Sequence, residues 1–188
     1  MVVLVISLLF FLAGCSCDSQ DEEGGIRRKD VVLLTDLQVS NFIYVLPGIL
    51  EFSEKYNKSL SREEKNREDA NKRFFETLRK SKKIEKLAGE YGFKSIDELI
   101  TVYKNVVLGY MSIKVELQDF EKDTSNLISI ILSNENRVKN DFSEKKINEK
   151  EYNKQMREID ADKMRLKNIL LIKKYETEID KVTSEYNK

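Results

Sequence analysis

Histidine and tryptophan are absent from this 188-residue chain; proline occurs once and cysteine twice. Without histidine there is no Ser-His or Cys-His dyad, no imidazole base and no His-ligated zinc. One proline and seven glycines leave little turn material, which argues against an all-β fold. No charge of either sign predominates: 33 bases balance 33 acids. That argues against a general nucleic-acid binder, which would carry a net basic stripe. It argues equally against a polybasic membrane patch.

The apolar residues that are present recur at helical spacing within a chain that is 35% charged. Such a pattern belongs to a solvated helical protein, not a disordered one. The first helix is expected from Thr35 or Asp36, both good N-caps, to about Tyr56. Its stripe comprises Leu37, Val39, Phe42, Ile43, Leu46, Ile49 and Leu50. Pro47-Gly48 interrupts this stripe, so the helix is expected to kink there. Ser61 and Glu64 fit a capping box for a second helix. Its first turns are wholly polar; Phe74, Phe75, Leu78, Ile84 and Leu87 return it to the core, and Gly92 ends it.

Ser95 and Glu98 form another capping box. The third helix then carries Ile96, Leu99, Tyr103, Val106, Tyr110, Ile113, Leu117 and Phe120 at alternating three and four spacing. Tyr103 and Tyr110 are expected in the core, not in a ligand row. Gly109 inside this helix is expected to mark close approach of another helix, with a hinge as the alternative. Asp123-Thr124 would cap a fourth helix with Leu127, Ile130, Ile131, Val138 and Phe142, unless the third simply continues. A turn is expected at residues 143–146. Asn148 and Glu151 open the next helix, with Tyr152, Met156, Ile159, Leu166 and Leu170 on its buried face. A final stretch carries Ile172, Tyr175, Ile179, Val182 and Tyr186, with a break near Asn168 allowed. The expected fold is all-α: a bundle of five or six antiparallel helices over residues 31–188.

The N-terminus is of a different kind. Residues 1–11 are mainly apolar, and Leu12-Ala13-Gly14-Cys15 follows them. The run is shorter than the roughly 20 residues a membrane-spanning helix needs and fits the core of a signal peptide. Leu-Ala-Gly-Cys resembles the lipobox of bacterial lipoproteins. The resemblance implies cleavage after Gly14, lipidation of Cys15, and membrane attachment through that lipid in the cell envelope. No Lys or Arg precedes the run, a departure from the usual basic start. The Met1 amine supplies the charge, or translation begins upstream. Residues 15–30 would form a flexible tether, polar and containing Gly24-Gly25. With Cys15 lipidated, no internal disulfide can form, and Cys17 is left as an exposed thiol, with an intermolecular bridge as the alternative.

Motifs for chemistry are missing. There is no phosphate-binding glycine loop, no CxxC pair, no HExxH and no calcium-loop spacing. Glu158, Asp160 and Asp162 lack the glycine of a calcium loop and point in different directions on a helix. No catalytic residue, metal or cofactor is therefore assigned. Two segments resemble a functionally uncharacterised group of small helical exported proteins and lipoproteins of Gram-negative bacteria. One is Leu34-Thr35-Asp36-Leu37-Gln38-Val39-Ser40-Asn41-Phe42-Ile43 with Pro47 beyond it. The other is Tyr91-Gly92-Phe93-Lys94-Ser95-Ile96-Asp97-Glu98-Leu99. The resemblance implies export and an all-helical fold, and carries over no active site. The reading that follows is a lipid-anchored, non-catalytic scaffold for an unidentified protein or peptide. A surface adhesin is the alternative, and a histidine-independent enzyme the remotest.

Overall fold

The structure is a computed structural model, and it describes residues 30–61 and 69–186. Among these residues it is all-helical, with seven helices. They are α1 (Asp36–Ser59), α2 (Ala70–Arg79), α3 (Lys82–Glu90), α4 (Ile96–Met111), α5 (Phe120–Ser143), α6 (Glu149–Lys174) and α7 (Glu176–Tyr186). The expected signal peptide, Cys15 and the tether up to residue 29 lie outside the described residues. So does the capping box expected of Ser61 and Glu64, because Glu64 falls in that gap.

Local chemistry sets most of the boundaries. Thr35 caps α1 through a full capping box with Gln38. Ser95 caps α4 by accepting from the Glu98 amide, and Asn148 caps α6 by accepting from that of Glu151. At the end of α3, Gly92 has φ +78°, a left-handed conformation that only glycine adopts cheaply. Its amide bonds to the Gly89 carbonyl and that of Phe93 to the Ala88 carbonyl, the two bonds of a Schellman cap. Phe93 is buried at this cap.

Three boundaries differ from expectation. The single helix expected to reach Gly92 is broken at Lys80-Ser81, because Ser81 caps a new helix by accepting from the Ile84 amide. The third helix stops before Phe120: its last turn, Ser112–Glu116, widens into a π-turn closed by Leu117 N–H to Ser112 C=O. Helices three and four are therefore separate, and the cap of α5 is Asp119, not Asp123-Thr124. Asp119 accepts from the Lys122 amide while its own amide donates to the Asp123 carboxylate. The final break falls at Tyr175; Asn168 lies within α6.

The core surrounds α4. Leu99, Ile100, Val102, Tyr103, Val106, Val107, Tyr110 and Met111 are all buried. A helix apolar on every side must be covered on every side, and α1, α2, α3 and α6 all pack against this one. Phe42, Tyr103, Phe75 and Phe74 form a chain of tilted and edge-on rings with centroids 5.3–5.9 Å apart. Tyr103 is fully enclosed there, and its hydroxyl has no hydrogen-bond partner among the described residues.

Several residues expected inside are not. Leu37 is 69% exposed on α1, and Tyr44 of the same helix is also exposed and stacks on Tyr91. Ile130, Phe142 and Leu170 are also exposed. For Ile130 and Phe142 the reason is architectural. Along most of its length α5 packs against α6 alone, so only one of its faces can be covered. Val138 and Thr124 are its buried residues. Phe142 still stacks on Tyr152 at 4.4 Å, and Glu135 pairs with Lys163, which fixes an antiparallel α5–α6 hairpin.

At Gly109, α4 lies against α6 with no room for a side chain. A Cβ placed there would lie 2.3 Å from Ile172 Cδ1 and 3.8 Å from the Asn168 carbonyl carbon. Gly109→Ala is therefore expected to lower stability by about 1–3 kcal/mol through overpacking. Gly89 has open space around its Cβ position, so Gly89→Ala is expected to raise stability by up to about 1 kcal/mol through helix propensity. Urea melts of the two variants check both signs. Equal effects would contradict the close approach of α4 to α6.

Candidate functional site

Two asparagines stand in otherwise apolar surroundings on the facing sides of α4 and α6. Asn105 is 2% exposed and Asn168 is 3% exposed. A buried amide is tolerable only when its donors and acceptor are engaged. Here both are engaged by the main chain of residues 30–34, just before α1. Asn105 Nδ2 donates to the Asp30 carbonyl at 3.4 Å, and its Oδ1 accepts from the Val32 amide at 3.2 Å. Asn168 Nδ2 donates to the Val32 carbonyl at 2.7 Å, and its Oδ1 accepts from the Leu34 amide at 2.9 Å. Asn105 also donates to the Thr101 carbonyl of its own helix.

The pattern is specific. Each side-chain amide spans a carbonyl at one residue and an N–H two residues on. A neighbouring parallel strand satisfies an extended chain in the same way. Val31 and Leu34 are buried, whereas Val32 and Leu33 are half-exposed or exposed. The segment is thus gripped by its backbone and seated by two apolar side chains. Asp30, the last residue of the expected tether, is already part of this grip. Leu34 leads directly into Thr35, whose cap starts α1. The grip and the helix start are continuous.

A second polar group surrounds the end of α4. Tyr110 donates to Asp180 at 2.5 Å, and Lys114 bridges Asp180 at 2.8 Å and Glu176 at 2.6 Å. Lys173 also reaches Glu176. Burial pushes the Tyr110 hydroxyl up, and the Asp180 carboxylate adds to the shift. Desolvation would lower Lys114 and raise Glu176. The ion pairs outweigh it in both cases, so Lys114 stands above its ordinary value and Glu176 below its own. On the other side of the π-turn, Arg165 donates to Ser112 Oγ at 2.9 Å and to Glu116 at 2.7 Å. Tyr186 donates to Glu54. These contacts tie α7 and α6 to α4 and α1. Each charge faces an opposite one, an arrangement suited to holding helices together.

The acidic residues weighed as a metal loop lie along α6. Among the described residues no three carboxylate, cysteine or histidine side chains gather as ligands would. No helix among them is long and apolar enough to cross a membrane. Tyr103, Val106, Tyr110 and Ile113, expected in the core, are each at most 6% exposed. Sequence reasoning missed Asn105 and Asn168 as a pair. The available signal was an amide beside a lysine in each of two mainly apolar runs, Tyr103–Val107 and Leu166–Ile172. Compared with known proteins, the chain matches no family model, no curated protein and no solved structure.

The Lys114–Glu176 pair generates a pH prediction. A carboxylate held below its unfolded value of 4.5 stabilises the fold above that pH, and the contribution disappears as pH falls through the folded value. Glu51, paired with Lys55 and Lys83, and Glu135, paired with Lys139 and Lys163, are held down to about 2 and act in the same direction. The melting temperature is therefore expected to fall as pH drops from 4.5 towards 2. Glu176→Gln should be less stable at pH 7, by about 1 kcal/mol or less for a partly exposed pair, and should lose less on acidification. Thermal melts across that range decide it; parallel curves for variant and parent would contradict the assignment.

Proposed function

We propose that this protein is a lipid-anchored component of the bacterial cell envelope that acts as a non-catalytic scaffold for another protein or a peptide. The reading rests above all on the N-terminal sequence. An apolar run ends in Leu12-Ala13-Gly14-Cys15, the arrangement of residues that marks bacterial lipoproteins. In this reading residues 1–14 are removed, Cys15 carries the lipid, and the polar stretch after it is the tether. One acyl chain gives only marginal attachment, at about 0.8 kcal/mol per buried CH₂, whereas two or three chains hold firmly. The helices of residues 31–188 form an antiparallel bundle whose first helix bends at Pro47.

The helical part supports the scaffold reading in two ways. Its polar clusters pair charges that hold helices together, and no histidine is present to act as a base. Its α5–α6 hairpin carries exposed Ile128, Ile130 and Leu132, the kind of surface an apolar partner covers. The partner is a protein or peptide, and no nucleic acid is involved. No cofactor or metal enters this reading.

Cys15→Ala is expected to abolish metabolic labelling with palmitate and to move the protein from the membrane fraction into the soluble fraction of lysed cells. A variant that still labels would sink the anchor. Affinity capture of the parent from solubilised envelopes should bring down a stoichiometric partner. Capture of the protein alone would count against the scaffold.

A further inference from the structure

We propose that the groove between α4 and α6 is a binding site for an extended peptide, occupied in the resting protein by the chain's own residues 30–34. This inference rests on the peptide-binding reading above and names the site and the kind of ligand. The bound segment is its own evidence for what fits. Four hydrogen bonds connect the segment's main chain to Asn105 and Asn168, and they involve only Asp30 C=O, both polar groups of Val32, and Leu34 N–H. Main-chain contacts of this kind fit any peptide able to extend, as in recognition by strand addition. Selectivity then comes from the two positions occupied by Val31 and Leu34, the buried side chains of the segment.

The occupant is also built to leave. It precedes α1, so that helix need not unwind when it departs. The capping box between Thr35 and Gln38 lies wholly outside it and holds the start of α1 without it. Val32 and Leu33, at 37% and 51% exposure, give the segment little further grip. Departure would strand two buried amides, which is unfavourable unless a second peptide replaces the first. The site therefore favours exchange of one extended segment for another over standing empty. The ligand class is an extended peptide with small branched or aliphatic residues three positions apart. An internal occupant lowers the apparent affinity for an external one by the fraction of time the site is free.

The test uses the full chain purified in detergent and a fluorescein-labelled decapeptide copying residues 26–35. In the Val31→Ser/Leu34→Ser variant the internal segment is weakened, and the peptide should bind at least tenfold more tightly than to the parent by fluorescence anisotropy. Adding Asn168→Leu to that variant should remove the binding. A variant with the parent's helicity but no binding, or binding indifferent to Asn168→Leu, would overturn the proposal. If the double variant does not fold, Leu33→Trp places a single tryptophan on the exposed side of the segment. Excess unlabelled peptide should then shift its emission, and an unchanged spectrum at saturating peptide would overturn the proposal equally. Neither result depends on Cys15, so failure here leaves the anchor standing, and capture of a partner through the α5–α6 hairpin would leave the scaffold standing.

Discussion

The rest of the structure depends on the close approach of α4 to α6. Gly109 permits it, because any larger residue would meet Ile172. Once the two backbones are this near, side chains one turn to either side can act on the same small object. Asn105 lies one turn before Gly109 on α4, and Asn168 one turn before Ile172 on α6. The two amides consequently grip a single stretch of chain, residues 30–34, from two helices. That stretch feeds directly into the cap of α1, which Thr35 and Gln38 form between themselves. An unpaired buried amide would be unfavourable by about 1–3 kcal/mol, so the helices and the segment stabilise one another.

Away from this contact the molecule changes character. Around α4 four helices supply cover, and an almost wholly apolar surface can be buried. The α5–α6 hairpin has two helices to share between them for most of its length, and two helices enclose only a seam. Val138 and Ile159 lie in that seam, while Ile128, Ile130 and Leu132 remain outside it. The i,i+4 ion pairs on its surface, Lys139 with Glu135 and Arg137 with Asp141, add a few tenths of a kcal/mol each. The two ends of the protein thus present different surfaces: a packed core gripping its own N-terminal segment, and an arm with unburied aliphatic side chains.

The all-helical class and most helix starts were legible because they are written in local chemistry. Thr35, Ser95 and Asn148 cap the helices they were expected to cap, and Gly92 ends one where only a left-handed residue would serve. The seam of α4 was legible for the same reason, since three-four spacing is a property of the sequence alone. What escaped was set by neighbours. Leu37 and Ile130 fit their stripes by spacing yet face outward, because spacing does not say whether a partner helix exists on that side. The break at Ser81 competed with a pattern that reads equally well as one helix, and the π-turn at Ser112–Glu116 has no mark in the sequence. Asn105 and Asn168 lie 63 positions apart, so their common target emerges only when α4 and α6 meet.

The central claim is that two buried amides hold residues 30–34 by the backbone, and amide hydrogen exchange tests it most directly. In the native protein the N–H groups of Val32 and Leu34 should exchange far more slowly than an unfolded chain allows, since both donate to asparagine side chains. Asn168→Ala should release Leu34, while the N–H of Val106 in the core of α4 stays protected. Exchange of Val32 and Leu34 at the free-chain rate in the parent protein would contradict the account.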